Sequence, residues 1–438
     1  MKSDARLLAY KIIHRFNHDK KLDVILDDVF RTARPGNKTK SRAKVLVHEI
    51  IRLKGRLDLM ITYISGKTFK QIQRPIISIL RIGFYEIMMD DSIPDYAAVN
   101  SSVNLTRHIL SKKSAGFTNA ILRKLTFKKH NENEWTNALI NNPNWNSLPK
   151  WIQDRWKKSL GEHNQIKMIT SINIKPANFI RVQNGKIELD EIKRILKQDG
   201  IESETFSEIF LKISCGLGKV LKTALFRNGK ISIQNPASAA IADCLGIKFG
   251  DTVLDVCAAP GTKSLYLSSL VGTKGAVLAS DINEERVKLG IVDVKRHGKS
   301  NIKWAVKDAS KDKFRNSNYI LIDAPCTGTG VMARKPDIRW RRKKSDIFKM
   351  SKKQLEILNH CSKFLNPNGT IVYATCSIEP EENWKVVEQF LNLNPQFFVD
   401  NINSKVPKEW LDRRGALRTL PYLHDVDGMF AVKMKRSL

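Results

Sequence analysis

The chain has 438 residues, of which 42% are hydrophobic, so we expect more than one domain with a buried core. No apolar run approaches the roughly 20 residues that a membrane-spanning helix needs, and the first residues do not resemble a secretory signal, which together predict a cytoplasmic location. The six cysteines form neither a C-x-x-C pair nor a zinc-ligand cluster, so no metal site is predicted. The net charge of +31 favours a polyanionic partner such as RNA, although part of it could be lysine scattered over a solvated surface.

The first 128 residues are predicted to form an all-α bundle. Apolar residues recur there at intervals of three and four, which is the spacing of one helix face. They form three stripes: Leu8, Ile12 and Phe16; Leu46, Ile50, Leu53, Leu57 and Ile61; and Ile76, Leu80, Phe84 and Ile87. Alternation with period two is absent over any useful length of this sequence, so strands are not expected.

The middle of the chain is predicted to contain a linker and a small α+β connecting domain. Residues 128–149 are polar and rich in Asn and Trp, which indicates the linker. The small domain is predicted over residues 146–228, with a helix that carries Trp151 and Trp156 and a strand at residues 178–182. The pattern alone does not assign its fold.

Residues 229–438 are predicted to form an α/β domain. Short β-branched runs alternate there with helical patterns, which is typical of a parallel sheet with crossover helices. The runs are residues 252–256, 276–279, 319–322, 370–373 and 429–432.

The motif Asp255-Val-Cys-Ala-Ala-Pro-Gly-Thr-Lys263 leaves the first of these strands and enters a helix. Gly261 would let the backbone pass close to a ligand at the carboxyl end of the strand, where open α/β sheets bind their ligands. The motif is neither a phosphate-binding loop nor G-x-G-x-x-G, so a dinucleotide is disfavoured.

Acidic residues lie at the ends of four strand-like runs: Asp255 within 252–256, Asp281 after 277–280, Asp308 after 303–307 and Asp323 after 320–322. Each of them alone is more often a helix cap or a turn residue than a ligand contact. Four such carboxylates at one sheet edge favour a nucleoside-type cofactor. Because the phosphate-binding motifs are missing, S-adenosylmethionine is the best candidate.

Two cysteines follow closely on apolar strands, in Asp323-Ala-Pro-Cys326 and Thr375-Cys376-Ser377. C5 of cytosine is a poor nucleophile, but addition of a thiolate to C6 makes C5 electron-rich enough to take a methyl group. A base must then remove the C5 proton so that the thiol can leave, and Asp323 is placed to hydrogen-bond N3 of the ring. The other cysteines, 215, 244 and 361, are expected in the core, whereas Cys257 could be structural or contact the ligand.

These motifs resemble those of the RNA 5-methylcytosine methyltransferases, the Nop2/Sun/Fmu group. The resemblance rests on residues 255–263, on Asp323-Ala-Pro-Cys-Thr-Gly-Thr-Gly330 and on residues 375–377. Residues 93–100 and 116–123 are similar to the helical NusB domain. The resemblance implies an N-terminal NusB-like bundle and a C-terminal Rossmann-like class I methyltransferase domain.

The resemblance also implies roles for single residues. Cys376 would be the nucleophile and Cys326 would assist release of the product, while Lys263 and Asp323 would line the base pocket. The implied cofactor-binding residues are Cys257, Ala258, Ala259, Pro260, Gly261, Lys263, Asp281, Arg286, Asp308 and Asp323. A basic segment would follow the flipped base and bind RNA through Arg334, Lys335, Arg339, Arg341 and Arg342.

Three functions remain open from the sequence. The first is methylation of a cytosine in 16S rRNA after the base has been turned out of its stack, by a protein expected to be a monomer. The second is the same reaction on tRNA. The third is a non-catalytic RNA-binding protein of the NusB type, against which the retention of both cysteines and of Lys263 argues. DNA cytosine methylation is less favoured, and zinc deamination is disfavoured because H-x-E and P-C-x-x-C are absent.

Overall fold

A computed structural model describes residues 4–17, 19–183, 188–214, 216–402 and 405–437. The chain divides into two compact units. The helical unit comprises residues 1–175 together with the segment 332–342, and the sheet unit comprises residues 176–331 and 343–438. The domain bounds drawn from the sequence, 1–128, 146–228 and 229–438, stay a prediction.

The helical unit is a bundle, as the sequence predicts. Its consecutive helices are α1 (Ala5–Arg15), α2 (Leu22–Ala33), α3 (Asn37–Arg52), α4 (Lys54–Ser65), α5 (Arg74–Met89), α6 (Asp95–Ile109), α7 (Lys112–Lys129), α8 (Glu132–Ile140), α9 (Lys150–Leu160) and α10 (Glu162–Asn173). The three predicted stripes lie in its core, with Phe16 packed partly buried against it. The predicted all-α bundle is therefore confirmed.

The predicted linker at residues 128–149 is wrong. Helix α8 occupies its centre, and its apolar residues Trp135 and Leu139, four positions apart, are buried against the bundle. The ring of Trp135 stacks on that of Tyr63 with centroids 5.6 Å apart. Burial of two apolar side chains on one face stabilises this helix, although most of its other residues are polar.

The small domain of the sheet unit contains a four-stranded antiparallel sheet. Its strands are β1 (Asn178–Val182), β2 (Ser203–Ser207), β3 (Phe210–Ile213) and β4 (Ile231–Ile233), in the order β2-β3-β1-β4. Its helices are α11 (Leu189–Gln198), α12 (Leu217–Val220) and α13 (Ala224–Arg227). The apolar faces of the sheet and of α11 form a separate core cluster. The α+β class predicted for this region is confirmed.

The large sheet carries the predicted strands. They are β5 (Thr252–Val256), β6 (Ala276–Asp281), β7 (Ile302–Val306), β8 (Ser317–Asp323), β9 (Leu365–Thr375), β10 (Phe397–Val399), β11 (Leu417–Arg418) and β12 (Phe430–Arg436). The order is β10-β12-β9-β8-β5-β6-β7, with β11 paired to β12. β5 to β9 pair in parallel, whereas β12 runs antiparallel to β9. The carboxyl ends of the five parallel strands therefore lie at one edge.

The remaining helices connect the strands of this sheet, except α14, which precedes β5, and α17, which belongs to the helical unit. They are α14 (Pro236–Asp243), α15 (Thr262–Val271), α16 (Glu284–His297), α17 (Ile338–Arg341), α18 (Lys344–Cys361), α19 (Trp384–Leu393) and α20 (Pro421–His424). α15 packs against β5 and β6, and α16 against β6 and β7. The chain order changes direction between β5 and β8, which is where open α/β sheets bind ligands. Among the described residues, no helix is long and apolar enough to span a membrane.

Candidate active site

Two thiols meet at the carboxyl edge of the large sheet. Cys376 directly follows β9, and Cys326 lies three residues after the end of β8. The two strands are parallel neighbours with Asp323 in register with Ala374, so the loops that leave them start side by side. The two Sγ atoms are 3.1 Å apart, and both residues are half-buried.

A buried carboxylate ties these two loops together. Glu382 is inaccessible to solvent and accepts hydrogen bonds from the backbone N–H of Thr327 at 2.8 Å and from its hydroxyl at 2.5 Å. Gln354 donates to Glu382 at 3.2 Å and to the carbonyl of Pro325 at 2.9 Å. Burial raises the pKa of Glu382, while the hydrogen bonds from Ser377 and Thr327 act to lower it. A carboxylate so deeply buried is tolerated because it is hydrogen-bonded.

Sequence reasoning missed Glu382 and Gln354. The one available signal was the pair of acids in Pro380-Glu-Glu382, close after the second cysteine motif. Nothing in that pair indicates which acid turns inwards.

The environment of the thiol pair favours the protonated form of Cys326. The hydrogen bond with Cys376 is the largest cause that raises the pKa of Cys326 well above its ordinary value, and burial adds to it. The negative charges of Cys376, Glu382 and Asp323 raise it further. Cys326 is therefore the thiol of the pair that is poorly suited to carry a negative charge in this structure.

A lysine and an aspartate form an ion pair at the same edge. Lys263 Nζ lies 2.8 Å from Asp323 Oδ2, and their side chains are 11% and 29% exposed. Burial acts to lower the pKa of Lys263, but the charge of Asp323 and the hydrogen bond to it outweigh that effect and raise the pKa, with a smaller contribution from Cys376. A fixed positive charge thus stands near the thiol pair.

The turn between β5 and α15 needs glycine at residue 261. Gly261 has φ of +104°, and a Cβ there would lie 2.7 Å from the ring of Trp304. The turn includes a cis peptide bond between Ala259 and Pro260, and the N–H of Ala258 donates to the carbonyl of Ser280 at 2.8 Å. Cys257, also in this turn, is packed against the core, and burial raises its pKa well above the ordinary value, which favours the structural interpretation.

Asp281 holds this turn and the start of α16. Its Oδ2 accepts from the N–H of Ala259 at 3.1 Å, and its Oδ1 accepts from the N–H of Asn283 at 3.0 Å. Arg286 donates to the carbonyl of Ala259 and lies 3.6 Å from Asp281 Oδ2. The carboxylate is 4% exposed, so it is rigidly oriented by the backbone that it binds.

Asp308 lies in the loop that follows β7. Its Oδ1 accepts from the N–H and the hydroxyl of Ser310, at 2.9 and 2.6 Å. The side-chain hydrogen bond from Ser310 is the largest cause that lowers the pKa of Asp308, followed by the backbone hydrogen bond from the same residue. Its side chain is 16% exposed, so this carboxylate is both ionised and accessible.

Asp255 does not belong to the crevice. It lies within β5, is inaccessible to solvent, and accepts from the hydroxyl of Ser264 at 2.6 Å. Burial raises its pKa to about 7. The prediction that four strand-end acids line the crevice is therefore wrong for Asp255, because its side chain is packed between β5 and α15.

The carboxyl edge fits a nucleoside. Ile282, which sequence reasoning missed, follows Asp281 and is 65% exposed, and Val306 at the end of β7 is 51% exposed. The two exposed apolar side chains can contact the flat face of a purine, and the neighbouring carboxylates can accept from the hydroxyls of a ribose; these are the two parts of a nucleoside. Exposure of an apolar residue cannot be read from sequence, but a lone Ile directly after a strand-end Asp was a usable signal.

The predicted RNA-binding residues lie in segment 332–342 of the helical unit, and the prediction is wrong for Arg339. Its guanidinium is buried and donates to the carbonyls of Arg52, Ser147, Ile172 and Met332 and to Asn173 Oδ1 at 2.6–3.3 Å. Burial lowers its pKa to about 9. All these acceptors are in the helical unit, so Arg339 holds this unit together and cannot reach a phosphate.

The other four residues of the basic segment differ in exposure. Lys335 is exposed, Arg334 and Arg342 are half-buried, and Arg341 binds Asp337 at 2.7 Å with its side chain 12% exposed. Their role towards RNA stays a prediction. Cys215 lies outside the described residues, while Cys244 and Cys361 are buried as expected. Within the described part of the chain, no cluster of three or more His, Cys, Asp or Glu side chains could hold a metal ion.

Fold and site together define an α/β methyltransferase preceded by a helical bundle. Three family models match: the NusB family over residues 3–127, the ferredoxin-like domain of the RsmF/B-like methyltransferases over 148–210, and the 16S rRNA methyltransferase RsmB/F over 242–435. The chain is 30% identical to the probable ribosomal RNA small subunit methyltransferase B of Bacillus subtilis (strain 168), across 95% of this chain and 94% of that protein.

Solved structures agree with this result. The chain is similar to the crystal structure of PH0851, with 25% identity and a TM-score of 0.77, and the match covers 100% of both chains. It is also similar to a methyltransferase homolog protein from Pyrococcus horikoshii, with 26% identity, a TM-score of 0.56, and coverage of 66% of this chain and 96% of that one. The chain belongs to the RsmB/F family of S-adenosylmethionine-dependent 16S rRNA methyltransferases, and both predicted resemblances are confirmed.

Proposed function

We propose that this protein methylates C5 of a cytosine in 16S rRNA through a transient bond between Cys376 and C6 of the base. The observation that carries the proposal is the 3.1 Å approach of two thiols at the carboxyl edge of the sheet. A methyltransferase that acted on a nucleophilic oxygen or nitrogen of its substrate would need no attacking thiol. A pair of thiols fits a substrate carbon that must first be activated by covalent addition.

In the first step the Cys376 thiolate donates an electron pair to C6, and the C5–C6 double bond shifts its electrons towards C5 and the N3 side of the ring. Lys263 and Asp323, 2.8 Å apart, are the charged groups available to stabilise that ring. A hydrogen bond to N3 would offset the developing negative charge, which is the role proposed for Asp323, with the proton supplied by its ion-pair partner Lys263. S-adenosylmethionine, when bound, supplies the methyl group that C5 accepts.

The proposed cofactor-binding residues are the turn from Cys257 to Gly261, Arg286 and the carboxylates of Asp281, Asp308 and Asp323. The three carboxylates differ in burial, which fits different roles in binding the cofactor. Asp281 is nearly buried and fixes the turn, while Asp308 and Asp323 remain accessible for hydroxyl or amine donors. Cys257 would contribute through the shape of the turn.

In the last step the C5 proton leaves and the electrons expel Cys376 as a thiolate. Bonding of Cys376 to carbon removes its negative charge and weakens its hydrogen bond with Cys326, which is the largest cause that raises the pKa of Cys326. Cys326 therefore becomes more acidic only while the intermediate exists. Once Cys326 has released its own proton to solvent, its thiolate can accept the C5 proton, which would make it the base that assists product release.

The test is methyl transfer from radiolabelled S-adenosylmethionine to purified 16S rRNA and to bulk tRNA, followed by bisulfite sequencing of both. We expect label in 16S rRNA at one cytosine that resists bisulfite conversion. Label at a base that bisulfite converts normally would refute the C5 assignment, and label in tRNA alone would support the alternative substrate. The cytoplasmic location and the monomeric state stay predictions from the sequence.

A further inference from the structure

A cavity of about 750 Å³ opens in the helical unit, and the proposed reaction does not use it. It is formed by α4, by the chain that follows α4 as far as Phe69, and by Trp340 of segment 332–342. Its volume lies in the range of pockets that bind small ligands. We call it the helical-unit pocket.

Aromatic rings line this pocket in fixed orientations. Tyr63 is 41% exposed and is stacked on the buried Trp135, with ring planes inclined by 13°. The indole N–H of Trp340 donates to the carbonyl of Ile51 at 2.7 Å, which sets the direction of that ring. Phe69 adds a third ring to the lining. Rings held in place in this way lose little entropy when a flat ligand stacks on them.

Cations accompany the rings. Lys54 Nζ lies 4.6 Å from the ring centroid of Trp340, and Lys67 is exposed in the lining. Among the described residues that line the pocket, Asp58 is the acidic one, and Arg81 binds both its oxygens at 2.6 and 2.9 Å. Two lysines, Lys54 and Lys67, thus line the pocket with one carboxylate, and that carboxylate is already paired with Arg81 outside the lining and lies 3.5 Å from Lys54 Nζ. The pocket therefore favours an anionic ligand.

We propose that the helical-unit pocket binds a nucleotide of single-stranded RNA, with the base against the aromatic rings and the phosphate towards Lys67 and Lys54. Proteins hold single strands with this combination of stacking rings and a positively charged groove. An apolar peptide would gain nothing from the lysines, and an acidic peptide would gain little from the flat rings. The site makes no use of cytosine chemistry, so it holds RNA independently of the proposed reaction.

The test uses the full chain and a fluorescein-labelled single strand of ten uridines, whose affinity is measured by fluorescence anisotropy. This probe has no cytosine, so failure of the proposed methylation would leave the test intact. Lys67→Glu and Lys70→Glu make the same charge change three residues apart, both side chains are exposed, and only Lys67 lines the pocket. We expect Lys67→Glu to raise Kd at least fivefold more than Lys70→Glu. Equal losses, or no measurable binding by the unchanged protein, would overturn the proposal.

A second pair tests the rings. Tyr63→Ala should weaken binding several-fold, whereas Tyr96→Ala, at a 72% exposed tyrosine outside the pocket, should not. Because Tyr63 supports Trp135, a crosslinking measurement guards against a merely structural loss. A uridine strand with one 4-thiouridine, irradiated with the unchanged protein, should crosslink at Tyr63, Phe69 or Trp340. Peptide mapping that finds its crosslinks elsewhere would exclude the pocket as the RNA site.

Discussion

The two thiols at the sheet edge have a hydrogen bond in common, and the pKa of Cys326 is raised by it. Burial raises the pKa of Cys326 further, so the protonated form of this thiol is favoured. Sequence motifs could place both cysteines at the same sheet edge, but the assignment of their roles came only from a family resemblance. A protonated Cys326 fits the proposal that Cys376 is the attacking thiol.

We therefore predict opposite outcomes for the two alanine variants. Cys376→Ala should lower methyl transfer at least about a thousandfold because the attacking group is gone, while calorimetry still detects binding of S-adenosylmethionine. In Cys326→Ala, Cys376 should still attack the base but should not be released from it. A denaturing gel with substrate RNA should therefore show a covalent adduct between protein and RNA. The double variant is the control and should lose that adduct. An adduct that persists in the double variant would mean that another residue attacks.

Asp255 makes stability depend on pH. Burial raises its pKa from the ordinary value of 3.8 to about 7, so between these pH values the folded protein binds a proton that the unfolded chain releases. The free energy of unfolding therefore falls as pH rises through this window, by about 4 kcal/mol in total from this group.

Asp255→Asn should remove the pH-dependent decrease in the free energy of unfolding. The amide carbonyl can still accept a hydrogen bond from Ser264 but carries no charge at any pH. Thermal unfolding followed from pH 4 to pH 8 should show a smaller decrease of Tm in the variant than in the unchanged protein. Parallel curves for the two proteins would show that Asp255 is not the titrating group.

At the scale of elements, Glu382 connects the loops that carry the thiols. It bonds Thr327 in one loop and lies six residues after Cys376 in the other, and Gln354 of α18 holds both Glu382 and the carbonyl of Pro325. Such a connection fixes the separation of the Sγ atoms although Glu382 does not touch the base. We assign it a positioning role.

Glu382→Ala should lower kcat at least tenfold and leave KM for the RNA nearly unchanged, because it disturbs the thiols and not the RNA surface. Glu382→Gln keeps one acceptor oxygen and the side-chain volume, so it should recover much of the activity. Steady-state kinetics of the three proteins, with circular dichroism to verify folding, gives the measurement. A rise in KM without a change in kcat would place Glu382 in substrate binding.

Strands were predicted from sequence more reliably than loops and short helices. The run 252–256 is β5 with the same bounds, and 178–182 is β1, because a short β-branched run between turns marks a strand locally. α8 was missed because two buried residues among polar ones give little periodicity. Glu382 was missed because its partner Thr327 lies 55 residues away, and separations of that length leave no local pattern.

At the scale of the whole molecule, the net charge of +31 does not indicate which cations contact RNA. The family resemblance predicted that a basic segment from Arg334 to Arg342 binds RNA, yet Arg339 within it is buried in the helical unit. Four of the five groups that bind it come from residues 52, 147, 172 and 173, which are 166 or more positions away. A window of sequence cannot distinguish such an arginine from a solvated one.

The last prediction separates the two kinds of cation in this segment. Arg339→Met keeps most of the buried volume but leaves backbone carbonyls without donors, so it should lower the free energy of unfolding by on the order of 3 kcal/mol. Lys335→Met, at an exposed position of the same segment, should change stability by less than about 0.5 kcal/mol.

The salt dependence of rRNA binding should respond in the opposite way. If Lys335 contacts a phosphate, its loss reduces the slope of log Kd against log salt concentration by about 0.7 to 0.9, because one fewer counterion is released. Arg339→Met, measured where it remains folded, should leave that slope unchanged, since its guanidinium is bonded to carbonyls in both the free and the bound protein. A slope reduced by Arg339→Met would mean that RNA draws this side chain out of the helical unit, and the buried arginine would then be part of the RNA surface.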